Sequence, residues 1–306
     1  MPASEPSIVY VVGPTAAGKT RLGIELAQRL NGKIINADSR QVYRYMDIGT
    51  AKPTAEEQQL ASHHLLDLHS PDQNFSLGVF LSLAKKTVAE IQGQGKLPIV
   101  VGGTGQYIWA LLEGWDVPEV PPDEEFRKKL ETEAAEMGHE GLHRLLQSID
   151  PERASELDPR NIRRVIRALE IHHLTGTMPS SFGKATGLGL PGPILGLTME
   201  REDLYDRIDR RVDQMMQQGF LQEATLLTEM GFCLGKGPLA CPGYRELGLH
   251  LAGDITLEDA VQRIKFQTHR LARRQYSWFK LSDPRISWLN GASEDLFSAA
   301  ELQTYS

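Results

Sequence analysis

Short apolar runs alternate with amphipathic stretches through the first third of the chain. Residues 8–12 (Ile-Val-Tyr-Val-Val), 34–35 (Ile-Ile), 65–68 (Leu-Leu-Asp-Leu) and 97–101 (Leu-Pro-Ile-Val-Val) have the length and β-rich content of buried strands. Helical spacing fills the gaps: Leu22, Leu26 and Leu30 recur every four residues, and residues 77–92 and 105–113 also read as helices. Strand and helix in alternation predict an α/β domain around a parallel sheet.

The pattern breaks at Gly114 to Pro122, which holds three prolines, and from there to about residue 174 it is helical without a strand signal. Residues 176–192, with five glycines, read as a flexible return linker. Residues 194–198 form another expected strand, and helices near 203–217, 220–230, 243–252 and 256–280 precede what reads as a polar tail. The predicted organisation is therefore a core domain in two parts, 1–115 and 192–306, interrupted by a helical insertion at 116–191. Internal repeats and low-complexity tracts are absent from the sequence.

Directly after the first strand stands Gly13-Pro14-Thr15-Ala16-Ala17-Gly18-Lys19-Thr20, a complete G-x-x-x-x-G-K-[ST] phosphate loop. Small residues let backbone N–H groups curl around phosphate oxygens, and the following helix points its positive end at them. Lys19 adds a mobile cation and Thr20 a hydroxyl for Mg²⁺. The expected fold is thus α/β, a P-loop NTPase-like parallel sheet flanked by helices, with an inserted all-helical domain.

Asp38 follows the second strand, on the sheet edge where open α/β sheets bind ligands. A carboxylate there can act as general base, help to hold Mg²⁺, or cap a turn. The strand at 97–101 ends in Gly102-Gly103-Thr104-Gly105, which permits a close approach of substrate and equally suits a tight turn. It carries no terminal Asp, which counts against an ATPase motor. A small-molecule P-loop kinase, and an RNA-binding protein with a decayed nucleotide site, remain open at this level.

Cations cluster on two helices. Arg160, Arg163, Arg164 and Arg167 share one arc, with Ile162, Val165, Ile166 and Leu169 opposite, and no acid lies between 160 and 169. Near the C-terminus Lys265, Arg270, Arg273, Arg274 and Lys280 interleave with Phe266, His269, Tyr276, Trp278 and Phe279. Phosphate backbone suits the cations and bases suit the aromatics, although a solvated face over an aromatic core reads the same way.

Composition narrows the setting. A net charge of −7 argues against coating nucleic acid through bulk charge, which leaves the local patches to do any binding. Cys233 and Cys241 are too few for a disulfide framework and suggest a reducing compartment. With the phosphate loop at residue 13 and no apolar run of spanning length, the expected site is the cytoplasm, with no membrane partner. His63-His64, His139 with His143, and His172-His173 lack the third ligand of a zinc motif.

The phosphate loop, Asp38-Ser39-Arg40-Gln41-Val42-Tyr43, residues 46–53 (Met-Asp-Ile-Gly-Thr-Ala-Lys-Pro), Gly102-Gly103-Thr104 and Gly243-Tyr244-Arg245 together resemble the tRNA dimethylallyltransferase (tRNA isopentenyltransferase) family, in consistent order from residue 8 to about 280. The resemblance implies transfer of a dimethylallyl group from dimethylallyl diphosphate to N6 of adenosine 37, just 3′ of the anticodon, in tRNAs reading codons that begin with U. A close relative of this reading alkylates a free adenine nucleotide instead. On the resemblance Asp38 is the base, residues 13–20 cradle the diphosphate, Thr15 meets the bridging oxygen, Arg211 and Thr20 with Mg²⁺ help the diphosphate to leave, and the protein is a monomer. It also assigns tRNA contacts, in the anticodon stem-loop, to Asp38, Ser39, Arg40, Gln41, Thr104, Arg127, Arg163, Arg164, Arg167, Gly243, Tyr244, Arg245, Arg270, Arg273 and Arg274, within segments 240–245 and 268–275 at the C-terminal end.

Overall fold

In the computed structural model, which describes residues 7–118, 120–183, 185–293 and 296–304, the chain divides into two compact units. One is built from the residues up to Leu112 and from Leu190 onward, and the other is Glu113–Gly189.

The first unit begins with β1 (Val9–Val12), α1 (Lys19–Arg29), β2 (Gly32–Asn36), α2 (Ala55–Leu60), β3 (His63–His64), α3 (Leu77–Gly93), β4 (Leu97–Val101) and α4 (Gly105–Glu113). In the second unit lie α5 (Glu124–Ile149), broken at Gly138, α6 (Pro151–Glu156) and α7 (Ile162–Thr175). The chain then returns through β5 (Ile194–Thr198), α8 (Arg201–Gln217), α9 (Phe220–Glu229), α10 (Tyr244–Leu251), α11 (Leu257–Trp278), β6 (Ile286–Asn290) and α12 (Leu296–Thr304). The six strands form one parallel sheet in the order β3-β2-β4-β1-β5-β6.

All four residues of β1 are buried, as a central parallel strand covered on both faces requires. β1 pairs with β4 on one side and β5 on the other, so consecutive strands diverge around it, and the crevice at their carboxyl ends is the ligand-binding edge of such sheets. Val9, Val11, Leu22, Leu26, Ile34, Ile99, Leu195 and Leu197 form the core that α1 covers. A second core, of Val42, Met46, Val212, Phe220, Leu227, Tyr244 and Ile264, supports the far wall of the crevice.

Three expectations need correction. The strand expected at 65–68 lies at His63–His64, because Leu65 (φ 64°) and Asp67 (φ 54°) turn into the left-handed region, which no strand can carry. Leu68 and His69 instead donate their N–H groups to Val42 O, at 2.8 and 3.1 Å. The supposed polar tail contains β6, paired with β5 along its length, and α12, whose Leu296 and Ala300 join the core beside α1.

In the second unit Leu130, Leu142, Leu146, Val165, Ile166 and Leu169 pack α5 against α7. The return segment is tied down within this unit rather than loose. Gly183 N–H donates to Asp116 O at 2.7 Å, and Thr186 donates to Gly114 O through N–H at 3.0 Å and through its hydroxyl at 2.7 Å. Asp150, almost fully buried, accepts from Ser180 N–H at 2.7 Å and from Arg153 N–H at 3.0 Å. Among the described residues no helix is long and apolar enough to cross a membrane.

Candidate active site

A cleft of about 1070 Å³ opens at the carboxyl edge of the sheet in the first unit. Thr15, Ala16, Gly18, Lys19 and Thr20 line it, while Gly13, Pro14 and Ala17 lie buried beneath. Gly13 has φ 135°, and a Cβ there would stand 2.5 Å from Leu197 O, so only glycine lets the loop leave β1 beside β5. Lys19 Nζ donates to Pro14 O at 2.7 Å, which folds the lysine back over its own loop.

Asp38, Arg40 and Gln41 line the same cleft from the end of β2. The Asp38 carboxylate accepts from Arg40 N–H at 2.8 Å, a local turn that fixes its direction. Thr104 ties this segment to the end of β4: its hydroxyl accepts from Ser39 N–H at 3.1 Å. Gln41 donates to the carbonyls of Thr50 and Ala51, at 3.1 and 3.0 Å. Gly102 is needed at this junction, since a Cβ would lie 2.2 Å from Ala37 O.

From α8, Arg211 enters the cleft on the same face as Ile208, Val212 and Met215. Burial lowers the Lys19 pKa to about 8; Asp38 opposes that shift and Arg211 adds to it. Burial also lowers Arg211, against the pull of Asp38 and Glu57. Lys19, Asp38 and Arg211 therefore act on one another electrostatically across a single cavity: a carboxylate beside two cations. Cys241 lines the cleft as well; burial pushes its thiol up to about 11, which keeps it protonated and unreactive.

α11 has two working faces. Ile264, Thr268, Leu271 and Gln275, three to four residues apart, line the cleft. Arg270, Arg273 and Arg274 are exposed, without an ion-pair partner among the described residues, and Arg270 lies over the ring of half-exposed Phe266. The aromatics divide: Phe279 is buried, Tyr276 shares a hydrogen bond of 3.0 Å with Thr198, and His269 stacks on Tyr205 at 4.0 Å. Lys265 is held by Asp213 at 2.7 Å.

Several residues expected to meet RNA are engaged elsewhere. Tyr244 is fully buried, its hydroxyl donating to Glu223 at 2.7 Å, so it supports the wall and presents nothing to solvent. Gly243 is buried too, and Arg245 pairs with buried Glu246 at 2.7 Å. In the second unit, wholly buried Glu170 accepts from Arg127 Nε at 2.7 Å, from Arg167 Nη1 at 2.5 Å and from Asp123 N–H at 2.8 Å. Arg127 and Arg167 thus share one buried carboxylate while staying about one-third exposed, and Arg160 pairs with Asp158 at 2.7 Å. Arg163 and Arg164 stay exposed on α7.

Three residues have supporting roles that the sequence reading did not give them. Gln275 reaches the phosphate loop, and the available signal was a polar side chain on the apolar stripe between Ala272 and Phe279. Glu223 accepts the N–H groups of Asp47, Ile48 and Gly49 at 2.9, 2.7 and 3.0 Å, and so holds the loop whose carbonyls hold Gln41. Buried Lys52 bonds Asp47, Asp67 and Tyr43 O. Nothing local announces Glu223, and Lys52 lies in the 46–53 motif without its partners being legible there.

The family model described as IPP transferase matches residues 41–282. A tRNA dimethylallyltransferase of Herpetosiphon aurantiacus is 46% identical over 301 residues, which cover 98% of this chain and 95% of the relative. Among solved structures, the tRNA isopentenylpyrophosphate transferase of Bacillus halodurans aligns with TM-score 0.70 at 41% identity, over 97% of this chain and 94% of the other. A eukaryotic dimethylallyltransferase acting on tRNA aligns with TM-score 0.82 at 30% identity, over 96% of this chain and 77% of the other.

Proposed function

The chain belongs to the IPP transferase family, and from that premise we propose that it moves a dimethylallyl group from dimethylallyl diphosphate to N6 of adenosine 37 in the anticodon stem-loop of tRNA, acting as a cytoplasmic monomer. One observation carries the reading: Asp38 and the phosphate loop, with Lys19 and Arg211, face a single cleft.

An exocyclic adenine amine is a weak nucleophile. Asp38 takes its proton as N6 bonds to the allylic carbon, and the bond from that carbon to the diphosphate oxygen breaks. Negative charge then grows on the departing diphosphate, where Lys19, Arg211 and the N-terminus of α1 meet it. The residues fit Mg²⁺: Thr20 offers a hydroxyl in the cleft that holds the Asp38 carboxylate, and a diphosphate-bound Mg²⁺ asks the protein for only one or two oxygens. When bound, the ion would neutralise diphosphate charge. Arg270, Arg273 and Arg274 on α11, and Arg163 and Arg164 on α7, are exposed cations with no ion pair among the described residues, and they can take RNA phosphates.

A kinase would place a metal-holding acid at the end of the strand beside β1, whereas β4 ends in Gly102-Gly103. The test is incubation with magnesium, prenyl donor and unmodified tRNA, followed by nucleoside mass analysis. N6-alkylated adenosine is expected, and Asp38→Asn is expected to lose it while still binding tRNA. Steady ADP formation from ATP without RNA would instead favour the kinase.

A further inference from the structure

A side chain of α11 ties the phosphate loop to the turn that ends β4. We propose that Gln275 is a positioning residue that sets the phosphate loop against the glycine turn ending β4, and so fixes where the donor's diphosphate lies; this rests on the prenyl-transfer reading above. Gln275 Oε1 accepts from Thr15 N–H at 2.8 Å, and Nε2 donates to Gly103 O at 3.1 Å. The amide has one possible orientation, because a backbone N–H only donates and a carbonyl only accepts.

The surroundings are shaped to this bridge. Gln275 is 8% exposed. A Cβ on Gly103 would stand 2.1 Å from its Nε2, so the turn leaves room for the amide and for little else. Thr15 N–H donates to Gln275, which makes the bridge part of the scaffold that carries the loop. Gln275 is thus unavailable to RNA, although the same helix presents Arg270, Arg273 and Arg274 to solvent.

The bridge needs one acceptor and one donor on a planar group, and a protonated carboxyl supplies both. In Gln275→Glu, the ionised carboxylate still accepts from Thr15 but sets a second oxygen against Gly103 O, beside the place where diphosphate binds. Protonated, its carbonyl accepts from Thr15 and its O–H donates to Gly103, as the amide does. The defect is therefore expected to depend on pH, which a role in packing would not produce.

The test is calorimetric affinity for inorganic diphosphate, taken as a ratio to the parent protein at about pH 8 and about pH 5.5, on either side of a buried carboxyl's titration. We expect Gln275→Glu to lose about tenfold or more at the higher pH and to return to within about threefold at the lower, while Gln275→Met, which can make neither bond, stays weak at both. Affinity for tRNA should hold within about twofold, and the donor KM should rise as diphosphate affinity falls. A Gln275→Glu protein equal to its parent at both values, or as weak as Gln275→Met at both, overturns the assignment. Should both variants unfold, Gly103→Ala presses on Nε2 from the other side with Gln275 intact; an unchanged donor KM there would overturn it equally. Diphosphate binding requires no RNA, so a parent protein that binds diphosphate but alkylates no tRNA would sink the transfer reading separately.

Discussion

Glu170→Gln keeps the shape of a wholly buried side chain in the helical unit and removes its charge, leaving two guanidinium groups facing a neutral amide. Removing one partner of a buried ion pair costs about 3–5 kcal/mol. The Arg127 and Arg167 side chains keep 30% and 33% of their exposure, so solvent screens the stranded charge. The expected loss is therefore at the low end, about 3 kcal/mol. Hydrogen exchange on the full-length protein reads it directly: amides of α5 and α7 should lose about a hundredfold in protection while those of β1 and β4 keep theirs. The loss should also vanish in acid. Burial alone pushes the Glu170 carboxyl up, but the hydrogen bonds from Arg127, Arg167 and Asp123 N–H outweigh it and hold the group below its ordinary value. A depressed carboxyl contributes its full stability above the unfolded pKa of about 4.3 and loses it as pH falls through the folded value, where parent and variant converge. Protection unchanged within twofold at neutral pH would refute the pairing as a source of stability.

Arg163→Ala with Arg164→Ala should weaken tRNA binding and flatten its salt dependence by about 1–2 units of slope, with diphosphate affinity untouched; a parallel salt titration checks it, and equal slopes would remove α7 from the interface. Affinity for an alkyl diphosphate should decline as pH rises through about 8, because Lys19 loses its charge there in the free protein and binding must restore it; calorimetry from about pH 7 to 9 reads this, and a flat profile would contradict it. Glu223→Ala frees three backbone N–H groups and the Tyr244 hydroxyl, so the loop carrying the partners of Gln41 loosens. The KM for tRNA should then rise by about tenfold in steady-state kinetics while diphosphate affinity holds, and a donor-side defect of equal size would refute that division.

The elements legible in the sequence were those whose cause is local. The phosphate loop is a contiguous motif between an apolar strand and an amphipathic helix, and β1, β4 and β5 are the predominantly apolar runs that a doubly covered parallel sheet demands. The strand misplaced at 65–68 shows the limit: three leucines supplied the right composition, but Leu65 and Asp67 adopt left-handed backbone, and the Asp67 carboxylate meets Lys52 across 15 residues at 2.5 Å. β6 is an edge strand whose only ladder is with β5, about ninety residues earlier in the chain, and Ile286-Ser-Trp-Leu-Asn alone carries too weak an alternation to call for it.

The site divides in the same way, and charge makes the reason plain. Counting acids between 160 and 169 left Arg167 free, yet its partner is Glu170, one residue beyond, shared with Arg127 arriving from 43 positions away. A run of arginines on a helix face thus says where cations can point but not whether a buried carboxylate already holds them. Burial is the missing quantity, and only the packed helices supply it. α11 is the opposite case: its spacing puts Ile264, Thr268, Leu271 and Gln275 on one arc and Arg270, Arg273 and Arg274 off it, so the division between a cleft face and a free cationic face follows from helical geometry once one residue of the arc is placed. An acidic chain can in this way take a polyanion, because what an approaching phosphate meets is the exposed cations of a local face, such as Arg270, Arg273 and Arg274, and not the sum of −7.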